Sequence, residues 1–233
     1  MSRADAILSG SVTAPSQSGV RSMQTTHRTT LMLRAKVVVV GDACVGKTSV
    51  VQMFKSGGHD YPKNYIMTIG VDFGVKQVKV PETDCVVELF LFDCPGQGVF
   101  NKLEQGAAYY ENAAFVCVVF DVSNKDSFES CGRWLQGVRA ALPSTSAPLP
   151  GVVIANKSDL REGGINARAV VETKASTTLF EGRLFALQNG LDYFETSAAG
   201  AKGIDAPFHH MATRFHETYE KTIEGAEGEG GLP

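Results

Sequence analysis

The sequence predicts an α/β fold: one small domain on a mostly parallel six-stranded sheet, with one antiparallel edge strand and helices on both faces. Three observations predict it. Short, nearly continuous Val/Ile/Phe runs alternate with helix-period segments, the pattern of strands buried on both faces. Two of the runs are separated only by Pro81-Glu82-Thr83-Asp84, whose composition reads as a hairpin turn. A glycine-rich segment links the first run to the first helical pattern. The chain has 233 residues, 43% hydrophobic and 20% charged, which is enough for one sizeable core and too ordinary for wholesale disorder.

Taken in order, residues 1–33 are rich in Ser and Thr with little to bury, and are expected to form a flexible tail. Arg3, Arg21 and Arg28, opposed only by Asp5, also resemble a transit peptide, although no apolar helical stripe accompanies them. The folded domain is expected over residues 34–222. Its strands read as Ala35 to Val40, Val71 to Val80, Cys85 to Phe92, Ala113 to Phe120, Gly151 to Ala155 and Asp192 to Thr196. Helices are expected from Lys47, over Ser127 to Ala141 and over Ala167 to Gln188. A last helix carries Phe208, Met211, Ala212, Phe215 and Tyr219 on one face. Residues 223–233, Gly- and Glu-rich, are expected to form a second flexible tail. In such folds ligands bind beyond the carboxyl ends of the strands.

Composition excludes several functions. Lys+Arg 22 against Asp+Glu 25 gives a net charge of -3, a poor match to a protein that grips nucleic acid. The longest apolar run, Ala113 to Phe120, falls far short of the roughly 20 residues of a membrane-spanning helix. Cys44, Cys85, Cys94, Cys117 and Cys131 are odd in number and scattered, which argues for a reducing compartment without disulfides or a zinc site.

The chemistry lies at the strand ends. Gly41-Asp42-Ala43-Cys44-Val45-Gly46-Lys47-Thr48 fits G-x-x-x-x-G-K-[ST] between a strand and a helix. Its glycines let successive backbone N–H groups curl around a polyphosphate, and the helix N-terminus adds partial positive charge. Lys47 would reach the β- and γ-phosphates, the Thr48 hydroxyl would hold Mg²⁺, and Ser49 completes the expected binding stretch. Asp93-Cys94-Pro95-Gly96-Gln97 follows an all-apolar strand. There Asp93 can order a Mg²⁺-bound water, the Gly96 N–H can meet a γ-phosphate, and Gln97 can orient an attacking water. Alone, Asp before Pro-Gly is commonly just a turn; its place after the phosphate loop gives it meaning.

Asn156-Lys157-Ser158-Asp159 closes another buried strand. The Asp159 carboxylate can accept from guanine's ring N–H and exocyclic amine together, donors that adenine lacks, which is worth about 3–6 kcal/mol of discrimination. Within Glu195-Thr196-Ser197-Ala198, small residues at Ser197 and Ala198 would let backbone N–H groups approach the guanine carbonyl oxygen. Thr68 could add a second hydroxyl to Mg²⁺ when a γ-phosphate is present and let go when it is absent. Tyr61 and Tyr65 could cover the base or phosphates, or simply be surface aromatics. His209 and His216 share a face of the last helix, but without a third ligand they read as exposed or core-edge histidines.

Together these motifs resemble the Ras superfamily of small GTPases, and Thr68 to Phe73 resembles its Rab branch. Asp126-Ser127-Phe128-Glu129-Ser130-Cys131 with Trp134, and Asp205-Ala206-Pro207-Phe208 with Phe215 and Tyr219, are similar to the Rab-like GTPase subunit of the intraflagellar transport B complex. The resemblance spans about Leu33 to Lys221, with Arg161 to Gly190 longer than usual. It implies GTP/GDP and Mg²⁺ as ligands, slow GTP hydrolysis with Lys47 and Gln97 as catalytic residues, and a place in transport in the cilium or flagellum and in the cytoplasm of the basal body region. It also implies a heterodimer with a small β-sandwich subunit and contact with other complex B subunits. Rabs end in prenylated cysteines; none follows Cys131, so a protein partner is expected rather than a lipid anchor. Ala43 and Cys44 stand where Ras has glycines, which puts arginine-finger assistance in question. Two other functions stay open: a structural subunit stabilised by nucleotide without cycling, and a vesicle-trafficking Rab. A P-loop metabolic kinase would explain Lys47 but not Asp159.

Overall fold

The structure, a computed structural model, describes residues 30–64, 66–96, 108–142, 148–161 and 177–229. Strand β1 (Leu31–Val40) leads through a glycine-rich loop into α1 (Lys47–Ser56). The hairpin β2 (Asp72–Lys79) and β3 (Cys85–Asp93) follows, then β4 (Phe115–Asp121), α2 (Lys125–Glu129), α3 (Cys131–Ala140) and β5 (Gly151–Asn156). The described remainder is α4 (Leu179–Gln188), β6 (Asp192–Glu195) and α5 (Asp205–Glu229). The strands form one six-stranded sheet in the order β2-β3-β1-β4-β5-β6. The β2–β3 pair is antiparallel and the other pairs are parallel, as the alternation predicts.

Burial explains the apolar runs. Along β1 the side chains of Val37 and Val39 enter one core and those of Val38 and Val40 the other, all four fully buried. On the first face α1 and α5 pack through Phe54 and Phe208, whose rings stack with centroids 3.9 Å apart. On the second face lie Cys131, Leu135 and Val138 of α3 and Ala186 of α4. Burial is deepest at the middle of the sheet, where β4 and β5 expose nothing, and falls off toward the edge strands β2 and β6.

The boundaries shift for local reasons. β1 begins at Leu31, inside the expected tail, because its first residues pair with β3 from Leu31 opposite Cys85 onward. The helix expected over Ser127 to Ala141 divides at Ser130, whose hydroxyl donates to the Asp126 carbonyl at 2.9 Å, a back-bond that bends helices. Of the helix expected over Ala167 to Gln188, the described part is α4, started by a capping box between Thr178 and Glu181. Helix α5 runs on to Glu229, beyond the expected domain end at residue 222. The residues of the 1–33 tail before residue 30 lie outside the described residues.

Candidate functional site

The carboxyl end of β1 is where the backbone turns sharply. Gly41 has φ 144, and a Cβ there would lie 2.1 Å from the Val119 carbonyl oxygen, so only glycine fits. Cys44 (φ 64) and Gly46 (φ 92) complete the curl into α1, whose first turn carries no acidic residue to neutralise its N-terminus. Lys47 folds back over this loop. Its Nζ donates to the carbonyls of Gly41 at 2.9 Å and Asp42 at 2.8 Å. Burial pulls its pKa below the usual lysine value, opposed chiefly by the charge of Asp93.

Asp93 ends β3 and is 1% exposed. Its Oδ2 accepts from the Thr48 hydroxyl at 2.5 Å, and Thr48 Oγ1 lies 3.0 Å from Thr68 Oγ1. Its Oδ1 is buried and has no hydrogen-bond partner. Burial raises the pKa of this carboxyl, against the lowering effects of Thr48 and Lys47. One orphaned carboxylate oxygen beside two converging hydroxyls is a hard oxygen donor set, the kind that suits Mg²⁺ completed by phosphates and water. The expected metal residues Thr48, Thr68 and Asp93 are thus brought together. Among the described residues no three His, Cys, Asp or Glu converge on a metal, and His216 is buried beside Glu220 instead.

Gly96 shows how closely the segment after β3 approaches the phosphate loop. A Cβ there would sit 2.5 Å from the Ala43 nitrogen. Gln97, the expected water-orienting residue, and Tyr65 lie outside the described residues.

The other end of the site is built on β5. Asn156, 1% exposed, donates from Nδ2 to the Val45 carbonyl at 2.9 Å. Its Oδ1 accepts from Thr196 Oγ1 at 3.0 Å and the Ala198 N–H at 3.3 Å. It therefore ties the phosphate loop to the loop after β6 and acts as a strut. Lys157, at φ 63, donates to Asp121 Oδ2 at 2.6 Å and to the Cys44 carbonyl at 2.8 Å. Asp159 Oδ1 accepts from the Ser197 hydroxyl at 2.5 Å, which fixes the carboxylate's orientation.

A single cleft of about 500 Å³ joins these parts. Its lining takes in Ala43, Cys44, Gly46, Lys47, Thr48 and Ser49 of the phosphate loop, Asn156, Lys157, Asp159 and Ala198 beyond β5 and β6, and Tyr61, Thr68 and Gly96. Gly41, Asp42, Val45 and Ser197 are not among the lining residues and shape the wall from behind. Two participants escaped the sequence reading of the site. Asp121 holds Lys157, and its signal was there: like Asp93, it is an acid ending an all-apolar strand. Trp134 Nε1 donates to Asp42 Oδ1 at 2.7 Å, and no motif announces that contact.

Comparison with known proteins agrees with this geometry. Residues 36–224 match the Ras family. The chain is 40% identical over 192 residues to the intraflagellar transport protein 27 homolog of Bos taurus, covering 82% of this chain and 95% of that protein. It is 39% identical over 195 residues to intraflagellar transport protein 27 of Chlamydomonas reinhardtii, covering 83% and 90%. Similarity to the Ras-related protein Rab-2B of Dictyostelium discoideum is lower, 33% over 197 residues, covering 84% of each. With the phosphate loop, the buried Asp93 and the Asp159 end in one cleft, the chain belongs to the Ras family, as a Rab-like member resembling the intraflagellar transport 27 proteins.

Proposed function

We propose that this chain is a guanine-nucleotide-binding, Rab-like switch subunit of the intraflagellar transport B complex, working in the cilium or flagellum with slow GTP hydrolysis. The observation that carries the nucleotide reading is that Lys47 and Asp159 line the same cleft, so one molecule can be held at its polyphosphate and at its base. The transport assignment rests on the relatives, named for intraflagellar transport across animals, an alga and a trypanosome.

In this reading the backbone N–H groups from Ala43 to Thr48 bind the phosphates and Lys47 neutralises them. Lys47 would exchange its loop carbonyls for phosphate oxygens, which relieves the burial cost of its charge. Thr48, Thr68 and Asp93 would hold Mg²⁺, which would supply neutralisation of the phosphate charge. Asp159, oriented by Ser197, reads the two donor groups of guanine. Lys157 lies along the base between Asp121 and Cys44, and Tyr61 covers the cleft. Gln97 orients the water that attacks the γ-phosphate. Thr68 is the sensing residue, because its hydroxyl already meets that of Thr48 and is on a loop free to leave when the γ-phosphate goes.

A small β-sandwich subunit of the complex is the proposed direct partner. Two measurements test the function: identification of the nucleotide and proteins that co-purify from cells, and the affinity for the partner with GTP and with GDP. Guanine nucleotide, transport subunits and unequal affinities are expected. ATP in the cleft would overturn the base assignment, and equal affinities would overturn the switch at that interface.

A further inference from the structure

We infer that Trp134 is a positioning residue for nucleotide retention: its indole N–H, donated to the Asp42 carboxylate, anchors the first turn of the phosphate loop to helix α3. The inference rests on the nucleotide reading of the cleft. The chain has a single tryptophan. It is half-buried at the edge of the stripe Cys131, Leu135 and Val138, through which α3 packs on the sheet. Those three side chains are at most 2% exposed, so the helix that carries Trp134 is a fixed support.

The contact reaches the site through Asp42. Its side chain accepts from Trp134 at 2.7 Å while its backbone carbonyl accepts from Lys47 Nζ at 2.8 Å. Asp42 directly precedes Ala43, the first of the backbone N–H groups that would bind phosphate, so a shift of Asp42 moves that end of the loop in the loaded protein as well as the carbonyl that receives Lys47 in the empty one. Gly96 lies close to the same peptide: a Cβ there would come within 2.6 Å of the Asp42 carbonyl carbon. The turn is thus held by a hydrogen bond and by the close approach of Gly96, and only the former can be removed without filling space. Hydrogen bonds to charged groups are the stronger kind, and a free aspartate would let the loop sample wider conformations.

The test uses the full chain loaded with a fluorescent GDP derivative and Mg²⁺, followed by its release into excess GDP. Trp134→Phe keeps the ring and removes the donor; release should quicken by about 5- to 30-fold. Asp42→Ala should quicken it by a similar factor, the double variant little further, and Asp42→Asn, which keeps an acceptor for the indole, should recover part of the loss. Val138→Ala, a core truncation on the same helix, should lower the thermal midpoint yet leave release within about twofold of wild type. Unchanged release in both Trp134→Phe and Asp42→Ala overturns the inference, as does equal acceleration by Val138→Ala. A wild-type chain that takes up no GDP overturns the nucleotide reading and this inference with it, whereas loading with unchanged release overturns this inference alone.

Discussion

Asp93 combines two properties that a substitution can separate, because the same buried carboxylate that equips the site for Mg²⁺ is a burden when Mg²⁺ is absent. Asp93→Asn keeps an oxygen for the Thr48 hydroxyl and replaces the unpartnered Oδ1 by a neutral amide group. An unpaired neutral group costs less to bury than an ionised one. Taking the relief as about 1–3 kcal/mol, and 2–4 °C per kcal/mol for a domain of this size, the metal-free variant should melt roughly 2–12 °C above wild type. The pH dependence has a definite sign. A carboxyl whose folded pKa is raised holds its proton longer when folded than when unfolded, so wild-type stability without metal falls as pH rises from the unfolded carboxylate range through the raised value. The variant lacks that fall.

With Mg²⁺ and GDP the gap should narrow or reverse. Ligand at 100 times its dissociation constant adds about 2.7 kcal/mol to a folded state that binds it, and the variant loses most of the Mg²⁺-dependent share. The assay is thermal unfolding of both proteins with GDP in EDTA and with GDP and Mg²⁺. A variant that melts lower than wild type in EDTA, or gains as much from Mg²⁺, would refute the placing of Asp93 as a metal-side carboxylate.

Three further outcomes are expected. Asp159→Asn presents guanine with one acceptor and one donor where it needs two acceptors, so GDP binding should weaken by about 3–6 kcal/mol; xanthosine diphosphate, whose ring N–H and carbonyl match the amide, should gain, and titration of both nucleotides checks it. Gln97→Leu should slow single-turnover GTP hydrolysis without weakening GTP binding; an unchanged rate would show the glutamine idle. Phe208→Ala removes a fully buried ring stacked on Phe54, so urea unfolding in GDP should show a loss of about 3–5 kcal/mol, with nucleotide release nearly unaltered because neither ring lines the cleft.

What the sequence makes legible follows from the distance over which each feature is determined. The valines of β1 and the apolar run of β4 declare buried strands because a parallel sheet covered on both faces leaves no polar side. The hairpin at Pro81 to Asp84 is local, and it turned out antiparallel as its turn residues require. Ser130 shows the limit. A serine within a helical period gives no sign of whether its hydroxyl will face solvent or bond back to Asp126, and that choice divides the helix.

Motifs whose chemistry depends on consecutive residues, from Gly41 to Thr48 and from Asn156 to Asp159, could be read directly, because strand ends in an α/β fold converge. Which residues touch the ligand and which hold the others could not. Asn156 carries the motif's signature yet binds Val45, Thr196 and Ala198, joining loops far apart in the chain. Lys157 is aimed by Asp121, and Asp42 by Trp134; the first contact arises only once β4 is paired with β5, the second only once α3 is packed beside the end of β1. A phosphate loop is thus specified twice: its curvature by its own glycines, and its rigidity by side chains that no local pattern contains.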